Sequence, residues 1–306
     1  MSDRLARVPR RLEWSGFGIF ETSDNVGVDQ LLEARGEAPR ASIIDRLERH
    51  WGWSLAALVA LPLCLWLLFS QGMPILARPL AAALPASVAD QIDDALLAYL
   101  ETSVLEPTSL TNERQQDLLL TLEALLPAGL AVDLNFYGGG HLGPNALALP
   151  GGTVIFTDEL VGLAENDREL AAVFLHEAGH VARQHGLRNL IQTVGVATVL
   201  GWILGDLSTV TDLALVGGPA IVQQLSYSRA FELDADRFAR EALAKHGIPV
   251  SCLGDLLAKL QASRGGASGS EENAAVPGWL STHPGVEQRI ALSREGPPCQ
   301  AARSTP

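Results

Sequence analysis

The longest apolar run of the chain is WGWSLAALVALPLCLWLLF, from Trp51 to Phe69, and it contains no charged side chain. At about 1.5 Å per residue, a helix of this length covers roughly the 30 Å hydrocarbon core of a bilayer. Trp53 and Trp66 lie near the two ends, where interfacial aromatic side chains are expected. The pattern predicts a single transmembrane helix over 51–70, and a buried core helix is the alternative.

Beyond this span, three prolines within 71–86 predict a linker. Two helical patterns with one apolar face each follow, SVADQIDDALLAYLE from Ser87 and ERQQDLLLTLEALL from Glu113. VDLNFY, NALAL and TVIF then indicate three short strands, separated by a Gly-rich turn and a Pro-Gly-Gly turn. We expect an α+β domain over 87–295, mainly helical with a small antiparallel β-sheet, and a flexible tail over 296–306.

The first fifty residues contain only short, mixed patterns. RRLEWSGFGIFET alternates roughly as a strand does, and VDQLLEARG indicates a short helix that ends at Gly36. Residues 1–50 are too few for a self-sufficient core, so we interpret them as a small accessory module. The pattern does not assign a function to this module.

Charge narrows the range of partners and orients the predicted span. The formal net charge of -13 argues against nucleic acid as a partner, and no nucleotide-binding fingerprint is present. Four arginines lie shortly before the span and only Arg78 lies close behind it. The positive-inside rule therefore predicts that residues 1–50 are cytoplasmic and that everything after residue 70 lies outside the cytoplasm. In a bacterium this means a single-pass inner-membrane protein with a periplasmic domain and lipid contact through 51–70.

Cysteine usage leaves one alternative open. Three cysteines are too few for a disulfide framework, and no zinc-type cysteine pair is present. Cys252 and Cys299 either pair in an oxidising compartment or remain as two thiols.

Candidate chemistry lies on the helix that follows the strands. Asn166-Asp167-Arg168-Glu169 resembles a capping box, and the helix then reads ELAAVFLHEAGHVARQHG. His176 and His180 are four residues apart and share one helical face, while Glu177 points from an adjacent direction. In this H-E-x-x-H arrangement two neutral imidazoles bind zinc, and the glutamate is the general base that takes a proton from the attacking water. A solvated helix that happens to hold two histidines is the alternative.

A catalytic zinc ion needs a third protein ligand. The metzincin pattern is excluded, and His185, about one and a half turns beyond His180, is expected to point away from the metal. The segment YSRAFELDADRFAREALAKHG indicates a later helix on which Glu232 and Asp236 share a face. We therefore predict Glu232 as the third ligand of one Zn²⁺ per chain. Asp236 is predicted to accept the other N–H of a ligand imidazole, that of His176.

The chain resembles the M48 family of metallopeptidases over residues 105–295. Four stretches carry the resemblance: NALALPGG, HEAGH, SRAFELDAD and STHPGVEQRI. The resemblance implies a gluzincin-type fold and proteolysis of membrane-associated or misfolded proteins. It also implies that a protein or peptide substrate binds as an extended strand at a sheet edge. The residues of this edge are Asn145, Ala146, Leu147, Pro150 and Gly151.

The resemblance further implies roles for two residues of the STHPGVEQRI stretch. His283 either approaches the metal, as an oxyanion stabiliser or a resting fourth ligand, or only caps a turn before Pro284. Arg289 is expected to form a structural ion pair, in one version with a carboxylate near the site. If His283 does approach the metal, it is a catalytic residue beside Glu177.

The sequence leaves alternatives open for the structure of two segments and for the physiological role of the protein. The apolar segment 190–225 forms either a membrane hairpin, as in HtpX-like relatives, or a soluble or membrane-surface lid, which we favour. The loop 263–278 is flexible by composition and is a candidate for controlling access. A chaperone or assembly factor that holds clients by the same edge strand is the alternative function. A processing enzyme for a single lipidated or prenylated substrate is a third.

Overall fold

This computed structural model describes residues 9–14, 18–35, 51–204, 227–265, 283–293 and 297–299. The chain divides into two compact units, Met1–Gly72 and Met73–Pro306. The first contains β1 (Arg10–Trp14), β2 (Gly18–Thr22), α1 (Asn25–Ala34) and α2 (Trp51–Leu67), with a π-helical turn at Leu68–Gly72. The second contains α3 (Met73–Ala83), α4 (Ala86–Ser103), β3 (Glu106–Pro107), α5 (Asn112–Glu123), β4 (Asp133–Gly138), β5 (Ala146–Ala148), β6 (Thr153–Thr157), α6 (Asp158–Leu163), α7 (Asp167–Ala182), α8 (His185–Leu204), α9 (Arg229–Lys245), α10 (Ser251–Gly265) and α11 (Val286–Ser293).

In the first unit a small hairpin and a helix occupy the N-terminal region. β1 and β2 pair antiparallel, and Asp24 caps α1 by accepting the N–H of Gly27. The buried guanidinium of Arg10 in β1 donates to the carboxylate of Asp29 in α1 at 2.7 Å, which ties the helix to the hairpin. Gly36, the predicted end of this helix, lies outside the described residues.

One helix in the described part of the chain is long and apolar enough to cross a membrane, the 29 residues Leu55–Ala83. It comprises most of α2, the π-helical turn and α3. Most large side chains between Leu55 and Leu67 are exposed, with Leu58 71% exposed and Leu63 51% exposed. Exposed apolar side chains in such number are typical of a helix that lipid surrounds.

The prediction of a linker over 71–86 is wrong, because most of this segment is helical. Met73, Ala77 and Ala81 recur at helical spacing and are buried, and α3 packs against α8. A Cβ added to Gly195 of α8 would lie 1.9 Å from the terminal methyl group of Met73. This close contact between the helices outweighs the prolines, which had suggested an interruption.

In the second unit the four strands form one sheet in the order β3-β4-β6-β5. The pairs β3–β4 and β5–β6 are antiparallel, but the central pair β4–β6 is parallel, so the predicted antiparallel sheet is mixed. The reason is that β6 inserts between β4 and β5, so β5 does not pair with β4. β6 follows β5 through the Pro-Gly-Gly turn, in which Gly152 has a φ of 120° that L side chains rarely adopt. This turn reverses β6 against β5, so β6 runs in the same direction as β4 and pairs with it.

The main core lies between the sheet and helices α7, α9 and α10. Phe136 of β4, Phe156 of β6 and Phe174 of α7 stack edge to face in sequence, with ring centroids 6.4–6.5 Å apart. Cys252 of α10 and Cys299 form a disulfide, which resolves the alternative left open by the sequence. This core makes α7 the central helix of the domain, buried nearly all round from Glu169 to His180.

Parts of three predicted segments lie outside the described residues. α8 extends to Leu204, whereas 205–225 of the predicted hairpin lies outside the described residues. α10 extends to Gly265 and so includes the first three residues of the predicted loop, while 266–278 of that loop is likewise outside the described residues. Of the predicted tail, only 297–299 is described.

Candidate metal centre

Helix α7 carries the two histidines and the glutamate of the H-E-x-x-H motif. The side chain of Asn166 caps this helix by accepting the N–H groups of Arg168 and Glu169. His176 and His180 then lie one turn apart, with their Nε2 atoms 3.1 Å from each other. Both rings and the carboxylate of Glu177 are fully buried. Two imidazoles converge on one point in the interior, which a solvated helix would not produce.

Helix α9 brings two carboxylates to these histidines. Oε1 of Glu232 lies 3.4 Å from Nε2 of His180, and its Oε2 lies 3.6 Å from Nε2 of His176. One turn later, Oδ1 of Asp236 lies 2.9 Å from Nδ1 of His176. Asp236 is therefore on the outer side of the His176 ring, whereas Glu232 is on the inner side with the converging nitrogens.

The segment at α11 completes the cluster. Nδ1 of His283 lies 3.4 Å from Nε2 of His176 and 3.1 Å from Oε1 of Glu232. The buried guanidinium of Arg289 donates two hydrogen bonds to Asp236 and one to Glu232, each 2.7 Å long. The structure thus brings His283 to the histidine pair rather than to a distant turn, and Arg289 pairs with both carboxylates.

The donor atoms of His176, His180, Glu232 and His283 lie within 4.8 Å of one another, and all four residues are buried. Four-coordinate zinc holds nitrogen and oxygen ligands at about 2.0–2.2 Å, which in a tetrahedron sets neighbouring donors roughly 3.3–3.6 Å apart. Five of the six pairs among these residues have donor separations of 3.1–3.6 Å, which is close to that geometry. This group could therefore hold one divalent metal ion.

The charges around the cluster keep its carboxylates ionised. Burial would raise the pKa of Asp236, but His176 and Arg289 beside it lower the pKa to about 2. Burial also opposes ionisation of Glu232, and the neighbouring His283 and His176 hold its pKa well below the usual value. For His176, burial and Arg289 lower the pKa, while Asp236 and Glu232 outweigh them and raise it to about 9. The electrostatics of the cluster therefore favour a positive charge at this position.

Two aromatic residues near the cluster were not identified as site residues from the sequence. His185 is buried, with its Nδ1 3.1 Å from Nδ1 of His180, so it contacts the outer side of a predicted ligand. Burial lowers the pKa of His185 to about 4. The ring of Tyr227 stacks on His180 with centroids 3.9 Å apart. No spacing rule indicates Tyr227, because it reaches His180 only through the packing of α9 on α7.

The predicted substrate edge lies on β5 and the turn after it. Ala146 and Leu147 belong to β5, which is the outermost strand of its sheet, while Pro150 and Gly151 form the following turn. Asn145 precedes the strand, and its N–H donates to Oγ1 of Thr157.

The main-chain groups of β5 alternate in direction. Asn145 and Leu149 bond to β6, so by antiparallel alternation the amide and carbonyl of Ala146 and Ala148 point away from it. The hydroxyl of Tyr227 donates to the outward carbonyl of Ala148 at 3.2 Å. The carboxylate of Asp93 accepts the N–H groups of Gly151 and Thr153, which holds the turn.

Comparison with known proteins agrees with this site. Residues 135–295 match the family model described as peptidase family M48. A putative beta-barrel assembly-enhancing protease of Vibrio cholerae is 30% identical over 160 residues, 49% of this chain and 32% of that protein. The beta-barrel assembly-enhancing protease of Escherichia coli K12 is 28% identical, over 49% of this chain and 31% of its own length.

The mitochondrial metalloendopeptidase OMA1 of Schizosaccharomyces pombe is 27% identical over 165 residues, 53% of this chain and 46% of that protein. The chain thus spans about a third to just under half of the length of these relatives. The family match covers more than half of the chain and includes every member of the donor cluster. The chain therefore belongs to peptidase family M48.

Proposed function

We propose that the protein is a zinc-dependent endopeptidase, anchored in a membrane by one N-terminal helix, that hydrolyses misfolded or membrane-associated proteins. The observation that carries this proposal is the convergence of donor atoms from three separate segments, α7, α9 and the turn just before α11, on one buried point. A buried cluster of histidines and carboxylates without an ion would be costly to desolvate. Metal coordination explains why the fold retains it.

His176, His180 and Glu232 would hold the zinc ion, which when bound polarises the peptide carbonyl and lowers the pKa of water. Glu177 then acts as the general base. Its carboxylate lies on α7 beside His176 and reaches within 3.6 Å of Nε2 of His283, so it faces the cluster. It takes the proton of the attacking water and delivers it to the leaving amine. Asp236 orients His176 through the Nδ1 contact.

His283 is proposed as a resting fourth ligand. A catalytic zinc site keeps one position open for water, whereas four protein donors close a site. The contact between Nδ1 of His283 and Glu232 at 3.1 Å supports a place within the donor set. His283 would therefore have to withdraw before hydrolysis, and substrate entry is the event proposed to displace it.

The substrate is proposed to add to β5 as an extended strand. The outward amide and carbonyl groups of Ala146 and Ala148 would supply main-chain hydrogen bonds to a substrate strand, which would replace the bond that the Tyr227 hydroxyl donates to the Ala148 carbonyl. Main-chain pairing reads little side-chain information, so we expect broad sequence specificity. The names of the relatives from Vibrio cholerae and Escherichia coli, which refer to beta-barrel assembly, support envelope proteins as clients.

Localisation follows from the candidate span Leu55–Ala83 and from the arginines before it. We propose a single pass through the inner membrane, with a cytoplasmic N-terminus and a periplasmic peptidase domain. The first fifty residues are then a cytoplasmic module, and the peptidase domain extends to residue 295.

The decisive experiment compares Glu177→Gln with the wild type and with Glu241→Gln, a matched change at an exposed position of α9. We expect Glu177→Gln to bind one zinc ion per chain but to lose cleavage of an unfolded casein substrate, because the amide cannot accept the proton. The Glu241 control should cleave normally. Normal cleavage by Glu177→Gln would show that Glu177 is not the base.

The alternative function is a chaperone or assembly factor that uses the same edge strand. The closed set of four donors favours it, because a closed site hydrolyses nothing until one donor leaves. The Glu177→Gln variant also tests this alternative. If the variant restores client assembly in cells as well as the wild type, holding rather than cleavage is the main activity.

A further inference from the structure

Each ligand imidazole of this site has an outer nitrogen that needs a partner. The Nε2 atoms of His176 and His180 face each other at 3.1 Å and belong to the donor cluster, so the Nδ1 atoms face outward. For His176 the outer partner is Asp236, at 2.9 Å. For His180 it is a second imidazole, His185, with the two Nδ1 atoms 3.1 Å apart.

The position of the protons follows from this geometry. His180 must leave Nε2 bare to bind a metal, so as a neutral ring it carries its proton on Nδ1 and donates to His185. Nδ1 of His185 must then be the acceptor, which puts the proton of that ring on Nε2. Oδ2 of Asp234 lies 3.6 Å from this Nε2. That separation is beyond a direct hydrogen bond, but a carboxylate there favours the tautomer with an N–H facing it.

We propose that His185 is a positioning residue for the metal ligand His180, and that Asp234 selects the tautomer of His185 that can accept. The inference rests on the proposed function, because it requires that His180 binds the metal through Nε2. The inference also means that α9 influences both histidine ligands. This helix supplies Glu232 as a ligand, Asp236 as the partner of His176, and Asp234 as the charge that acts on His180 through His185.

The packing around His185 holds the ring in place. Its side chain is fully buried and stacks on the ring of Phe231, with centroids 4.2 Å apart and planes 11° apart. Tyr227 stacks on His180 at 3.9 Å. Two stacked contacts therefore restrain both partners of the Nδ1 pair, as expected of a group whose direction matters.

A purely structural role for His185 predicts different mutational results from a positioning role. His185→Phe keeps an aromatic ring that can stack on Phe231 but removes the acceptor. His185→Asn loses the ring but keeps an oxygen close to the position of Nδ1. If His185 only fills space, the asparagine variant is the more damaging one. If it positions His180, the phenylalanine variant is.

The test measures zinc affinity of the purified full-length chain by competition with a chromophoric chelator, together with thermal unfolding of the metal-free protein. We expect His185→Phe to lose about 10–100-fold in affinity, as is typical when the outer partner of a metal ligand is removed. His185→Asn should retain most of the affinity, and Asp234→Ala should show a smaller loss than His185→Phe, because Asp234 is partly exposed. The Glu241→Gln variant is the control.

Equal affinities of His185→Phe and the wild type, or a larger loss in His185→Asn, would overturn the inference. If His185→Phe fails to fold, Asp234→Ala decides the question. A loss of zinc affinity without a change in unfolding temperature supports the proposal that Asp234 acts on His180 through His185. Unchanged zinc affinity overturns it. Failure of the proposed metal site has a different signature, since the wild type itself would then bind no zinc, and failure of the proposed peptidase activity appears only in the casein assay.

Discussion

At the scale of single residues, Arg289 neutralises the acidic side of the donor cluster. Its planar guanidinium makes two bonds to Asp236 and one to Glu232, and all three residues are buried. Arg289→Lys keeps the charge but cannot make the forked contact. We expect the free energy of unfolding of the metal-free protein to fall by about 1–3 kcal/mol, measured by urea denaturation, because buried carboxylate oxygens lose their donors.

Arg237→Lys is the matched control for this substitution, because Arg237 is 65% exposed and its ion pair with Asp234 is weak. We expect this variant to unfold at the wild-type urea concentration. If the two lysine variants were equally stable, the forked contact of Arg289 would contribute nothing measurable.

Substitution of His283 by alanine distinguishes the two metal-related roles suggested for this residue. As a resting ligand, it contributes affinity but blocks the open position, so His283→Ala should bind zinc more weakly and still cleave an unfolded peptide. As an oxyanion stabiliser, the same change should leave affinity intact and abolish cleavage. The geometry, with Nδ1 of His283 3.1 Å from Glu232, leads us to expect the first outcome. Zinc titration and peptide cleavage on the same preparation separate the two.

The site residues differ in how far the sequence could predict them. His176, Glu177 and His180 follow from local helix geometry, which the spacing fixes. The structure puts Glu232 beside them, as expected for a carboxylate on a second packed helix. His185 was expected to point away because helix α7 was extrapolated through it. The helix ends at Ala182, and Gln184 has a φ of 53°, so the chain turns and brings His185 back to His180.

At the scale of elements, the close approach of α7 and α9 brings the ligands together. A Cβ added to Gly179 would lie 3.0 Å from both the Cα and the carbonyl oxygen of Ala235, which are backbone atoms that cannot move aside. Gly179→Ala must therefore push the helices apart. We expect a loss of about 1–3 kcal/mol in unfolding free energy, typical of overpacking, and weaker zinc binding because Glu232 moves with α9.

A second glycine provides the control for this prediction. Gly162 lies within α6, and a Cβ there would meet no atom within 4 Å. Gly162→Ala should leave zinc affinity unchanged and stabilise the helix slightly, by roughly 0.5–1 kcal/mol. Circular dichroism melts and zinc titrations of both variants make the comparison. Equal effects of the two substitutions would mean that helix separation does not control the site.

Secondary structure was predictable from the sequence to a greater extent than the pairing of strands. The alternation in Asp133–Gly138 and the Pro-Gly-Gly turn indicate strands, and the structure has them. The order β3-β4-β6-β5 depends on which strands meet in space, and local patterns do not contain this information. The helix Met73–Ala83 was mistaken for a linker for a similar reason, since its packing on α8 outweighs the local signal of proline.

At the scale of the whole molecule, one covalent bond secures the last part of the site. The disulfide joins Cys252 of α10 to Cys299, 47 residues later, and the intervening segment carries His283 and Arg289. Closing a loop of this size removes conformational entropy from the unfolded chain, typically stabilising by about 2–4 kcal/mol. The two site residues nearest the C-terminus are thus held to the body of the domain from both ends of their segment.

The same disulfide tests the proposed orientation in the membrane. Disulfides persist in oxidising compartments such as the periplasm and are rare in the cytosol. The chain has three cysteines, of which Cys64 is free. If cells are quenched in acid and the denatured protein is treated with a maleimide, we expect one modified thiol per chain before reduction and three after it. Cys64→Ser should give none before reduction and two after it. Three modified thiols without reductant would place Cys252 and Cys299 in a reducing compartment and contradict the periplasmic location of the peptidase domain.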